Sequence, residues 1–255
     1  MTGEPIGTAK RRRARWPWVL LIVVVLLAAL VVVAEAVART VVPSTVRSLV
    51  ISELELPADQ QLDVEARGIL LPQLIGGSLD ELRLSSDAVT IGGITGAADV
   101  TATGVPLRGG ELGSATGTVA IGQGQFARLL ENSQLPGAEL TLDEPNVTLQ
   151  GSVPLFARDI PFGFTFTPGA DGGDLLIMPV SVTLGGSEIE LSRLATLLGE
   201  AGKRLAEPQR VCIADRLPAG ITLTGLRIEG TRAVADISAD GRIAVDPALL
   251  DPGTC

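Results

Sequence analysis

Histidine and tyrosine are absent from this chain, and aromatic residues are few: five Phe and two Trp among 255 positions. Without imidazole there is no usual general base near neutral pH, no Ser-His or Cys-His pair, and no common zinc site. The sequence also lacks a G-x-S-x-G elbow, so its serines have neither the strained turn nor the base that activates a nucleophile. Cysteine is limited to Cys212 and Cys255. No set of ligands suggests a metal, and no cofactor is expected.

Basic charge is scarce outside the N-terminus. The first 16 residues hold five of the 20 basic side chains and one of the 29 acidic ones, leaving 15 basic against 28 acidic, a net of −13. Such a body repels nucleic acid, which is excluded as a partner.

What the chain does have is a long hydrophobic run. Trp16 to Ala34 contains no charged residue. As a helix its 19 positions span about 28 Å at roughly 1.5 Å per residue, close to the hydrocarbon thickness of a bilayer. Lys10, Arg11, Arg12, Arg13 and Arg15 precede it and hold that side in the cytoplasm. Trp16 and Trp18 suit the interface. The reading is a basic cytoplasmic tail at 1–15, a single-pass anchor at 16–38, and an extracytoplasmic domain at 39–255. Two rivals are a cleaved signal peptide, for which small residues at Ala34, Ala36 and Ala38 would serve, and a buried helix of a soluble protein. The apolar run from Val19 to Val33 is at or beyond the upper length of a secretory core, which favours the retained anchor. In an oxidising compartment Cys212 and Cys255 pair, closing a loop whose tethering contributes about 4 kcal/mol in the chain-entropy view.

The exported part is rich in Val, Thr, Ile and Leu, punctuated by many of the 30 Gly and 16 Pro, a composition of short strands and turns. Beyond the anchor, helix is expected toward Glu53, interrupted at Pro43 and restarted by a Ser44 cap, with Val46, Leu49, Val50 and Leu54 on one face. From Leu62 the period becomes two: Leu62 and Val64, then Leu82 and Leu84, alternate with charged residues. Gly92-Gly93 and Gly104-Val105-Pro106 read as turns around another strand. Further strands are expected at Gly117–Ile121, around Leu140/Leu142 and Val147/Leu149, through Phe162, Phe164 and Phe166, and through Val180, Val182 and Leu184. Helices are expected from Gln125 to about Asn132 and within Ser192 to Ala206. Strands near Ile221–Glu229 and Arg232–Ser238 end the pattern. The class is α+β, with a loose succession of strands then helix, twice.

Three motifs bear on chemistry. Ile121-Gly122-Gln123-Gly124-Gln125-Phe126-Ala127 imitates a dinucleotide fingerprint, but that fingerprint needs a βαβ unit and the flanking strands are antiparallel in character. The acidic pairs Asp143-Glu144 and Glu188/Glu190 read as solvated charges, and a glycan-acting pair would require them to face each other across a cleft. Gly68-Ile69-Leu70-Leu71-Pro72-Gln73-Leu74-Ile75-Gly76-Gly77 is a nearly continuous apolar run of neither clean period. It reads as buried loop or as the lip of an apolar cavity, with core favoured.

From Asp63 to Leu84, DVEARGILLPQLIGGSLDELRL resembles the opening signature of the LmeA family, though that family commonly has a Phe-Pro-Phe-like stretch where this chain has Ile69-Leu70-Leu71-Pro72. Cys212-Ile-Ala-Asp-Arg-Leu-Pro-Ala-Gly-Ile-Thr-Leu-Thr-Gly-Leu and the closing Gly253-Thr254-Cys255 are similar to its members as well. These are actinobacterial envelope proteins, phospholipid-binding and linked to mannan elongation of lipoglycans. The resemblance implies an elongated domain of curved antiparallel sheet wrapped around helices, similar to tubular lipid-binding proteins, with acyl chains in an apolar groove. The candidates for that groove are Ile69, Leu70, Leu74, Phe126, Leu130, Phe162, Phe164 and Phe166; each reads equally well as ordinary core. The expected partners are the membrane, phospholipid or lipid-linked glycan, and envelope biosynthesis proteins. Catalysis is not expected. The alternative is a non-catalytic scaffolding protein with a solid core.

Overall fold

The computed structural model of the protein describes residues 16–53, 60–91, 94–126, 138–155 and 158–255. Helix α1 runs unbroken over Trp16–Glu53, 38 residues, or about 57 Å at the usual rise. Every side chain from Trp18 to Val33 is exposed. The run is therefore no core helix of this domain. Its second half behaves differently: Ala38 is buried, and Val42 and Val46 pack with it against Leu70, Leu79 and Leu82. Positions 38, 42 and 46 are four apart, the spacing of one helical face.

Pro43 does not interrupt α1, and Ser44 is no cap. Its hydroxyl donates back to Val41 O at 2.9 Å, as does that of Thr45. An interior proline costs about 3 kcal/mol. The packed stripe on either side of it opposes that cost. Leu49, expected on the packed face, is exposed, and Leu54 lies outside the described residues.

After α1 the chain forms β1 (Asp63–Arg67), α2 (Leu70–Gly76), β2 (Ser78–Ile91), β3 (Ile94–Pro106) and β4 (Ser114–Gly122). A second set follows: β5 (Glu139–Asp143), β6 (Asn146–Leu155), β7 (Arg158–Asp171), β8 (Asp174–Leu184) and β9 (Ser187–Glu190). Helices α3 (Leu191–Leu198) and α4 (Glu200–Ala206) lead to β10 (Gln209–Val211), β11 (Ile221–Glu229) and β12 (Arg232–Ala239), and three 3-10 turns lie before and after that last hairpin. All pairings are antiparallel. The first sheet has the order β1-β2-β3-β4-β12-β11; the second has β10-β8-β7-β6-β5, with β9 also on β8. Both are open, and the fold is α+β as expected.

The two-part succession is not how the sheets divide. Strands β11 and β12, last in sequence, complete the first sheet by pairing β12 along β4 from Gly122 to Ala115. Other expectations shift locally. Gly104-Val105-Pro106 is a kink inside β3, with Gly104 at φ 58, and the chain turns at Leu107–Gly113 instead. Residues 192–206 are not one helix, because Gly199 at φ 58 separates α3 from α4. The Gly92-Gly93 turn and most of the Gln125–Asn132 helix lie outside the described residues.

Within the block 68–77, Leu70–Gly76 forms helix α2, where a buried loop or the lip of an apolar cavity was expected. Pro72 falls in its first turn, where a missing N–H is harmless. Gly77 ends it in the left-handed region at φ 82, a conformation glycine adopts freely. Its free N–H groups are capped from outside: the Glu35 carboxylate accepts from Leu70 N and Leu71 N, each at 3.0 Å. Buried Gln73 donates to Arg67 O at 2.9 Å and accepts from Asp80 N at 3.0 Å, tying α2 to both flanking strands.

Leu79 is fully buried beside Leu70, so Leu79→Ala should lower the unfolding free energy by about 3 kcal/mol, read from urea midpoints of the full chain in detergent. Asp240 caps the turn Gly241–Ala244. The Arg242 guanidinium first, and the Arg242 backbone N–H second, hold its carboxyl down at about 2 from an ordinary 3.8. A depressed pKa gives stability that is present above pH 3.8 and lost as pH falls to about 2. Asp240→Asn should therefore unfold earlier than the parent near neutral pH, and the two midpoints should converge across that acid window.

Candidate functional site

The strand register places apolar residues on one face of the first sheet in four rows. Ala66, Leu82, Ala102, Ala115 and Ala239 form one. Val64, Leu84, Val100, Gly117, Ile237 and Leu223 form the next. Ala98, Val119, Ala235 and Leu226 follow, with the buried Ser86 hydroxyl at the β2 end of that row, then Ile121, Ala233 and Ile228. The middle of this face is made of small residues, so it is a shallow floor. Gly117 is part of the reason: a Cβ there would meet Val100 and Ile237 at 3.2 and 3.3 Å. Val100, Val119, Ile121, Leu226 and Ile237 are only half-buried.

The opposite face is mostly polar, with one apolar row of Ala97, Ala120 and the buried Val234. Arg83 grips Asp99 at 2.5 Å, Thr118 donates to Asp236 at 2.9 Å, and Arg227 pairs with the same Asp236. A pocket of about 310 Å³ on that side is lined by Asp99, Asp236 and hydroxyl side chains. The sheet thus separates an apolar inner side from a charged outer one, as period-two alternation demands.

Walls stand at both edges of the floor. On one side the second half of α1 and α2 pack over β1 and β2 through Ala38, Leu70, Leu79 and Leu82. A cleft of about 490 Å³ lies there between α1 and β1, lined by Pro43, Ile51, Leu62 and Val64 with Thr40, Ser44, Arg47 and Ser48. On the other side the second sheet meets β11. Leu142, Val147 and Ile228 form a buried cluster joined by Phe126, Leu140, Phe166 and Ala233. Phe162, Phe164 and Phe166 share a face of β7 with Leu149 and Val147 of β6, and the rings of Phe164 and Phe166 stack with centroids 5.5 Å apart. Such stacking adds about 1 kcal/mol to the burial itself.

The expected groove residues fall into two groups. Leu70 is 1% exposed and is core; Leu74 packs half-buried against it. Phe126 and Phe166 belong to the cluster at the junction of the sheets, and Phe162 and Phe164 extend it along β7. Ile69 is brought to neither group, being 64% exposed on the outside. Leu130 lies outside the described residues. The alanines and valines of the floor went unread, because an Ala on a strand carries little pattern signal, and the pairing that gathers them joins residues 118 positions apart.

Three of the four carboxylates in the acidic pairs have structural partners. Glu144 accepts from Gly230 N–H at 3.0 Å, Glu188 from the Ser181 hydroxyl at 2.7 Å, and Glu190 pairs with Arg193 at 3.3 Å. Strand β4, which leads into the Gly122-Gln123-Gly124 turn, lies antiparallel between β3 and β12, so no dinucleotide site forms there. Instead the two glutamines stitch strands together: Gln123 accepts from Leu142 N and Gln125 from Thr95 N. Among the described residues no group of His, Cys, Asp and Glu gathers to hold a metal. Cys212 and Cys255 are bonded to each other, as expected.

These features define an α+β protein with an apolar N-terminal helix and open antiparallel sheets that present apolar inner faces. The family described as LmeA-like phospholipid-binding matches residues 32–235, and the chain belongs to that family. No curated protein and no solved structure matches the chain. The family supports binding of lipid. Since Phe166 links the sheets, Phe166→Ala should lower the unfolding free energy by about 3 kcal/mol, measured by urea denaturation.

Proposed function

We propose that this protein is held in the cell membrane by α1, with its N-terminus cytoplasmic and its sheets outside, and that it holds the acyl chains of a phospholipid or lipid-linked glycan for cell-envelope lipoglycan assembly. The observation that carries the reading is the half-buried apolar floor of the first sheet, in a chain of a phospholipid-binding family. Each buried methylene contributes about 0.8 kcal/mol, so two acyl chains laid along such a floor need no charged contact. The net charge of −13 beyond the first 16 residues agrees with this, because an acidic body gains nothing from an anionic head group at long range. The small residues of the floor would leave room for chains, while the phenylalanines of β7 would line its far wall. The protein would present lipid to envelope biosynthesis enzymes and perform no chemistry of its own.

Photoactivatable phosphatidylglycerol with a reactive group on its acyl chain, incorporated into membranes carrying the full chain, tests this. Adducts are expected on β3, β4, β12 and β7 as well as on α1. Ala98→Phe with Ala235→Phe, which fills the floor, should abolish the sheet adducts and leave those on α1. Adducts confined to α1 in the unaltered protein would defeat the groove and favour a scaffolding protein with a solid core.

A further inference from the structure

Helix α2 occupies a fixed height relative to α1. Beyond the apolar run, Arg47 donates to Gln60 O at 2.8 Å, Arg39 to Gly68 O at 3.3 Å, and Glu35 receives Leu70 N and Leu71 N at 3.0 Å. Successively later residues of the 60–71 segment thus meet successively earlier residues of α1. Strand β1 therefore runs back down α1 toward the apolar run, and α2 begins level with Glu35, one residue past Ala34. At about 1.5 Å per residue, that is the edge of the hydrocarbon layer for any bilayer that α1 spans.

At this height α2 turns Leu70 and Gln73 inward and leaves large aliphatic side chains uncovered. Ile75, at 80%, is the most exposed large hydrophobic residue among the described residues, more so than any in α1. Ile69 is 64% exposed. Leu107, 41% exposed, belongs to the same end, because its N–H donates to Gly77 O at 2.9 Å. Beside it the Arg108 guanidinium stands 3.5 Å from where a Gly77 Cβ would be, with no acidic partner among the described ion pairs. Aliphatic tips with an adjacent cation match the layered chemistry of a membrane surface, where apolar groups enter the acyl region and arginine meets phosphate.

We infer that Ile69, Ile75 and Leu107 form a lip that enters the outer leaflet of the same bilayer that holds α1, with Arg108 at the phosphates. The inference rests on α1 being a retained anchor. It goes beyond that reading by seating the domain on the lipid surface in one orientation, with the α2 end of the first sheet lowermost, rather than letting it swing free. The exposure of Ile75 then has a cause: its burial is completed by lipid. The shallow floor of the first sheet lies beyond the packed Leu79 and Leu82, on the same sheet that the lip terminates.

The test uses the full chain in phosphatidylcholine vesicles containing phosphatidylglycerol. With the native cysteines paired, single replacements Ile75→Cys, Leu26→Cys and Thr231→Cys carry an environment-sensitive fluorophore. Thr231 lies in the β11–β12 turn, at the opposite end of the first sheet from α2. Expected are blue-shifted emission and quenching at 75 by lipid bearing a shallow acyl nitroxide and at 26 by lipid bearing a deep one, with aqueous emission at 231 that neither lipid quenches. Placing the probe at Leu107→Cys and adding Ile75→Asp should largely remove the quenching at 107. An aqueous probe at 75 with a quenched probe at 26 overturns the lip and leaves the anchor standing. An unquenched probe at 26 overturns both.

Discussion

One carboxylate holds the architecture to its helix. Glu35 is the first charged residue after the apolar run, and it accepts two backbone N–H groups from α2 and the Arg39 guanidinium at 3.0 Å each. The start of a helix has free N–H groups and a partial positive charge, so an anion there is favoured without any basic side chain. Because Glu35 belongs to α1 and the N–H groups to α2, the bond converts a long helix with a domain attached into one continuous piece. The stripe Ala38, Val42 and Val46 then continues the contact up the side of the first sheet. Everything about the height and orientation of the sheets relative to the apolar run derives from this junction.

The sheets themselves are shaped by side-chain size. The inner face of the first sheet alternates with an outer face of paired charges and hydroxyls, and its centre carries Ala98, Ala102, Ala115, Gly117, Ala233, Ala235 and Ala239 instead of the large aliphatics that close most sheet interiors. Larger residues appear at the two sides: leucines under α1 and α2, and Ile228 with the phenylalanine-bearing sheet. Core formation is concentrated at the edges, and the middle is left shallow. That distribution separates the side chains that stabilise the fold from a half-buried face that packs against little.

Much of this was legible in the residues. The apolar run, the strands with clean alternation and the hairpin near 221–238 all follow from period and turn chemistry. The class and the disulfide did too. Three things were not. Helix α2 has its cap in a residue 35 positions upstream, so no local signal marks its start, and its glycines and proline suggest a loop. Pro43 suggests a break, yet tertiary packing on both sides outweighs one lost hydrogen bond. The floor depends on β12 finding β4, a pairing between distant segments of alanine and valine that no local pattern encodes. Of the expected groove residues, the phenylalanines of β7 and Phe126 do share a region with one another, whereas Leu70 is plain core and Ile69 faces outward. Hydrophobicity identified them all; only register could sort them.

The position of the last strands has a consequence for how the molecule matures. β12 lies between β4 and β11, and β11 is the strand that meets the second sheet, so much of the joint between the sheets comes from strands made after all the others. Until then β4 presents an unpaired edge of nine residues, a template for stray association. Closure of the molecule is necessarily late and of high contact order, which makes folding slow relative to chains whose neighbours in sequence are neighbours in space. A chain that stops short of residue 221 would keep its apolar helix, β1 to β4 and the phenylalanine strand, yet would lose Ile228 and Ala233 from the cluster that packs one sheet on the other.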